Sequence, residues 1–314
     1  MRTRIHRPAA LLALVLACGV LATGGVRAAT ARATYLYSLS NFTGTLRYDW
    51  VRIHVDPGTS EIYVLYQNLV RIFSPSGMEV FSFGDDLDLG QVLDAAVDAG
   101  GNVLLLSFKN GQTLVTRCDF RGVPVGPLEI TDLPAGLVFG ANRMVVGRNA
   151  LYFVSTNASS VIVTDLTGRF REHLDLLSLV DAEDKQKVGA EIIGFAVDGD
   201  DNLYFTVPVL FRVYKLSADR TLTSFGRPGS GPGRFGVLGG VATDSQGHVL
   251  VADKLRCVVM VFDRDFTFLT EFGYRGARPD NLVIPDDIAV DQRDRVYVSQ
   301  GRRRGVSVFA LTGE

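Results

Sequence analysis

The sequence predicts an all-β fold, a six-bladed β-propeller of four-stranded antiparallel blades, and three observations carry that expectation. First, the 314 residues are 47% apolar, yet 33 glycines and 11 prolines break the apolar stretches into short runs, which counts against long helices. Second, one phrase recurs about every 47 residues: an apolar run ending in Val-Asp, a polar turn, then a β-rich triplet. Third, the last copy stops one strand short of the others, while an unassigned apolar strand stands near the beginning.

In chain order, residues 1–28 read as an exported signal peptide. Arg2, Arg4 and Arg7 precede an almost wholly apolar stretch from Ala9 to Thr23, and no charge follows Arg7 until Arg27. A cut after Ala28 fits best, with one after Ala31 as a variant; it removes four arginines and no acids, moving the formal charge from -2 to -6. Two rivals stand beside it. Val15 to Cys18 resembles a lipobox, so that Cys18 could become a lipidated first residue. The 19 uncharged residues from Pro8 to Val26 also approach the length of an uncleaved anchor, and membrane association is expected only in these two cases. Every version places the folded part, residues 29–314, outside the cytoplasm, in the periplasm or beyond the cell, as a monomer.

Thr34 to Leu39 resembles the fourth strand of a later unit, Thr267 to Phe272, and belongs to no complete unit of its own. The phrase then runs through landmarks Asp56, Asp98, Gly147 (a degenerate copy), Asp198, Asp244 and Asp291. After each landmark comes a second strand such as Ile62 to Val64, a third such as Val70 to Phe73, a polar turn such as Ser74 to Gly77, and a fourth strand. One such meander cannot bury both of its faces alone, so six must stack around an axis. The final unit ends after its third strand, near Val306 to Ala310, and the N-terminal strand is expected to complete it and close the ring.

Two interruptions need their own reading. Residues 176–191 form a long, charged connector in which Leu176, Leu179 and Val180 fall at helical spacing, so a short helix overhanging one face is expected, as a lid, a docking element or a plain insertion. The glycine-rich loop from Gly226 to Gly233 lacks a Lys-Ser/Thr pair and leads into a strand, so it is a connector between blades, not a phosphate cradle.

That loop carries a resemblance. Phe225 to Phe235, followed by Gly240 to Asp244 and Val249 to Asp253, resembles an NHL repeat; the likeness is specific in blades five and six, fair in blade four and weak before it. It implies the six-bladed ring more firmly than any activity, because that family includes binding platforms, enzymes and modules of larger proteins. Its RING-dependent members need a Cys/His-rich domain that two remaining cysteines cannot build.

Composition excludes several functions. Thirty-two basic against 34 acidic residues give no polyanion-attracting field, and export makes nucleic acid an implausible partner. Arg275, Arg278 and Arg302 to Arg304 read as a solvated rim or a contact for an acidic protein. Four histidines and no paired Cys/His spacing leave no sequence signature of a metal or cofactor site. Cys118 and Cys257 read as buried free thiols, His248 as a turn residue and His173 as part of a charged outer strand.

Site candidates come from register. Four residues before each landmark stand Arg52, Asp94, Arg143, Gly194, Gly240 and Asp287. The alternation Asp287, Arg52, Asp94, Arg143 around neighbouring blades suggests charges that neutralise one another next door at one end of the channel, or a polar mouth for a ligand or a partner's loop. His54 takes a place where other blades carry alanine, so it fills space or serves the channel chemically. The functional expectation is an exported binding or scaffolding propeller that presents one face to a protein or small ligand, with no catalytic residues assigned. The alternative is a metal-dependent channel enzyme, lactonase-like or amidating-lyase-like.

Overall fold

The computed structural model describes residues 31–84 and 89–313. Residues 1–28, expected to be a signal peptide, and Cys18 among them, lie outside the described residues. Six four-stranded antiparallel sheets follow in chain order, and neighbouring sheets pack face to face around a channel. Their innermost strands are Arg52–Val55, Gln91–Val97, Arg143–Val146, Phe195–Val197, Leu238–Thr243 and Pro285–Val290, in blades one to six. The core is divided accordingly: each of six apolar clusters fills one seam between adjacent blades, so no blade has a core of its own.

The landmark aspartates explain the repeat. The Asp98 carboxylate accepts the N–H groups of Gly100 and Asn102, and Asp198, Asp244 and Asp291 bind the residues two and four positions on in the same way. A short carboxylate thus replaces the ladder partners that the chain loses as it reverses between first and second strands. The degenerate copy turns without one, through Gly147 N–H to the Ala150 carbonyl.

The ring closes as expected. The N-terminal strand Ala31–Ser38 pairs antiparallel with Gly305–Gly313 as the outer strand of blade six, with Tyr35 opposite Phe309. Their rings meet edge to face, with centroids 5.7 Å apart.

The connector after blade three departs from its expected form. It makes two single-turn helices, Leu176–Leu179 and Asp184–Lys187, but it does not simply overhang a face. Leu176, Val180 and Ile192 are buried between blades three and four against Val154, Phe195 and Val207. The reason is local: two of the apolar side chains at helical spacing, Leu176 and Val180, join the seam cluster of blades three and four instead of facing solvent. Among the described residues no helix is long and apolar enough to cross a membrane. Cys118 and Cys257 are both free and buried.

Candidate functional site at the channel mouth

At the inner strands, four kinds of contact join the six seams. The Asp94 carboxylate of blade two accepts the Met144 N–H of blade three at 2.8 Å, and that of Asp287 in blade six accepts the Ile53 N–H of blade one at 3.1 Å. His54 Nε2 accepts the Val97 N–H from blade two at 3.1 Å. Arg143 donates to the Ile193 carbonyl at the entrance to blade four at 2.9 Å. At the two remaining seams the backbones meet directly. A Cβ on Gly194 would sit 2.7 Å from the Gly239 carbonyl oxygen, and one on Gly240 would sit 2.8 Å from that of Asp286, so only glycine fits.

The expected pairing of each charge with its immediate neighbour therefore gives way to a different one. Arg143 reaches across the axis to Asp287, three blades away, in a buried ion pair at 2.9 Å. The neighbours are engaged otherwise because backbone N–H groups of adjacent blades claim the carboxylates first. Burial opposes the charge on Arg143, but Asp287 and Asp94 together hold its pKa above the ordinary range. Burial likewise pushes Asp94 upward, against the pull of Arg52 and Arg143. The His54 pKa falls to about 4, chiefly through burial, so at neutral pH the ring is the uncharged acceptor that the Val97 N–H requires.

Arg52 differs from the other four candidates. Among the described residues its guanidinium makes no hydrogen bond or ion pair. The nearby positive charge of Arg143, followed by burial, holds its pKa below the usual arginine value, with only longer-range help from Asp94, Asp287 and Asp286. It lines a cavity of about 280 Å³ at one end of the channel, together with Trp50, Arg143, Lys254, Asp286 and Asp287. Lys254 pairs with Asp286 there. The Arg143–Asp287 pair floors this cavity and also lines the narrower bore beyond it, where Asp94 and His54 stand. Of the five candidates, then, Arg52, Arg143 and Asp287 share the mouth, while His54 and Asp94 lie below it. Register reasoning missed Trp50, Lys254 and Asp286, which sit in loops or one residue off the repeat position. The one available signal was the chain's single tryptophan standing two residues before an inner-strand arginine.

A channel divalent cation, which the metal-dependent enzyme alternative would require, does not fit this donor set. Both oxygens of Asp94 accept backbone N–H groups, and those of Asp287 are taken by Arg143 and Ile53. Two guanidinium groups stand beside them, and no group of three or more His, Cys, Asp or Glu suited to a metal occurs among the described residues. The other two described histidines are peripheral by contact: His248 pairs with its own landmark Asp244, and His173 lies in the outer strand of blade three.

Comparison with known proteins extends the fold only. No protein-family model matches the chain, the NHL model included, and no curated sequence matches it. Solved structures do. An auxiliary nutrient binding protein from Bacteroides ovatus is similar with a TM-score of 0.61 at 14% identity, over 90% of this chain and 77% of that one. A gluconolactonase from Xanthomonas campestris is similar with a TM-score of 0.57 at 16% identity, over 91% of each chain. An inactive histidine-to-alanine variant of virginiamycin B lyase from Staphylococcus aureus, solved with quinupristin, is similar with a TM-score of 0.57 at 11% identity, over 90% of this chain and 99% of that one. The propeller is thus shared by lyases, lactonases and binding proteins.

Proposed function

We propose that this chain is an exported binding propeller whose channel mouth takes a small organic anion, a carboxylate in the first instance. The observation that carries this reading is Arg52: a guanidinium facing a cavity, pressed by a second guanidinium and given no acceptor of its own. An incoming carboxylate would accept from it in the forked geometry that arginine offers, with the Asp286-paired Lys254 alongside and Trp50 as an apolar wall. Export rests on the N-terminal sequence, and the auxiliary nutrient binding protein is a precedent for a binding protein on this fold. The competing enzyme reading retains its fold precedent in the lactonase and the lyase, but the donors required for its metal-dependent form are already engaged.

Arg52→Gln separates a ligand group from a structural one. Titration of butyrate, followed through Trp50 fluorescence, is expected to lose about tenfold or more in affinity in this variant. Its thermal midpoint should stay the same or rise, because the substitution breaks no bond and removes a repulsion from Arg143. A falling midpoint with unchanged affinity would show that Arg52 supports the ring and not a ligand. Turnover of a lactone by the pure protein, abolished by a chelator, would establish the enzyme reading instead.

A further inference from the structure

We propose that the mouth continues into an apolar hollow between blades five and six, and that the two together bind a free amphiphilic carboxylate, with its head at Arg52 and Lys254 and its hydrocarbon in the hollow. This deepens the anion reading above and rests on it. The hollow, of about 310 Å³, is walled by Val237, Leu255, Cys257, Val283 and Ile284. Lys254 lines both cavities. Trp50 of the mouth and Ile284 of the hollow meet beside Gly301: a Cβ there would stand 2.9 Å from Trp50 Nε1 and 3.3 Å from Ile284 Cβ. A chain leaving the mouth past the indole therefore enters apolar surroundings directly.

The walls are held in place by buried polar groups. Fully buried Asp253 accepts the N–H groups of Gly236, Val237, Leu255 and Arg256, tying together the two loops that form one wall. Gln300, also fully buried, accepts the Val283 N–H on the opposite wall, and the Gly301 N–H binds the Val283 and Ile284 carbonyls. A site preorganised in this way spends little binding energy on ordering itself. Despite this rigidity, it leaves large apolar side chains at its lip in water, with Leu255 70%, Trp50 58% and Val237 42% exposed.

Charge selects the occupant. Lys254 already pairs with Asp286, but Arg275 and Arg302 line the hollow and Arg52 lines the mouth beside Trp50, so an apolar ligand without a negative head would leave these arginines unanswered. Both cavities lie near the lower end of the roughly 300–1,000 Å³ range of small-molecule sites, which favours a short amphiphile over a folded partner.

The test compares octanoate, butyrate and octanol on the mature protein, with quenching or shift of the single tryptophan as readout. Octanoate should bind about tenfold or more tighter than butyrate, which allows for only part of the added hydrocarbon leaving water, and octanol should bind more weakly than octanoate. Leu255→Ser, at a side chain too exposed to matter for folding, should narrow the octanoate advantage over butyrate to within about threefold. Equal affinities for octanoate and butyrate would overturn the hollow and leave the mouth standing. Failure of both carboxylates to bind would remove the mouth reading and this one with it. An acidic peptide that perturbs Trp50 where octanoate does not would assign the face to a protein partner and overturn the proposal.

Discussion

At the scale of single residues, the channel shows how little a side chain's charge alone says about its role. Asp94 and Asp287 read in the sequence as partners of neighbouring arginines, yet each spends an oxygen on the backbone of the next blade. A buried N–H without an acceptor costs about 1–3 kcal/mol, so this use takes precedence over pairing with a neighbouring arginine. The ring of charges was legible from register, but its bonding was not, because register says nothing about which backbone groups face the adjoining sheet. His54 makes the same point with a measurable consequence. Its folded pKa of about 4 lies below the ordinary 6.5, so the unfolded chain takes up the proton first as pH falls. The sign follows: His54 contributes its full stability above about pH 6.5, and that contribution is lost as the pH drops through about 4. Chemical denaturation between pH 7 and 4 should show about 2 kcal/mol of loss from this group, less than the whole shift because the ring is only part-shielded. His54→Gln keeps an acceptor for Val97 but cannot titrate, and it should flatten that part of the profile. An unchanged slope would place the pH dependence elsewhere.

At the scale of elements, the strands were readable because their punctuation has a chemical cause. An aspartate that accepts backbone N–H groups satisfies most of these short reversals, so it recurs with the blades and marks their period, while the copy at Gly147 turns without one. The insertion after blade three was harder. Leucines at helical spacing identify an amphipathic turn but not the surface it covers, because spacing along the chain does not say which blades the turn packs between. Its contribution is accordingly to packing. Leu176 is completely buried among residues from both blades, so Leu176→Ala should cost about 3 kcal/mol through lost burial and the cavity left behind. By contrast Leu179→Ala, at a side chain 43% exposed one turn away, should cost well under 1 kcal/mol. Urea midpoints of the two variants measure the difference. Similar small effects would mean that the connector is an appendage after all.

At the scale of the whole molecule, the seam decides whether six sheets behave as one body. Every apolar cluster lies between blades, so opening any one seam exposes two blade faces, and the ring resists opening only if its first and last segments are fastened. Ala31–Ser38 is that fastener: seven of its residues are in register with Gly305–Gly313, while Ala31 packs with Phe272 and Leu311 in the seam to blade five. A chain beginning at Leu39 should therefore keep five complete blades and a three-stranded sixth with an unpaired edge. Loss of several kcal/mol of pairing and burial corresponds to a fall of roughly 10 °C in thermal midpoint for a chain of this size, accompanied by self-association through the exposed edge. A synthetic peptide of residues 31–38 added in trans should bind that edge as a replacement strand and restore part of the loss in a concentration-dependent way. If the shortened chain melts at the original temperature and stays monomeric, the side-chain seams alone hold the ring. Ligand binding at the mouth, which draws on Trp50 next to blade one and Lys254 of blade five, would then need no strand closure to keep its two sides together.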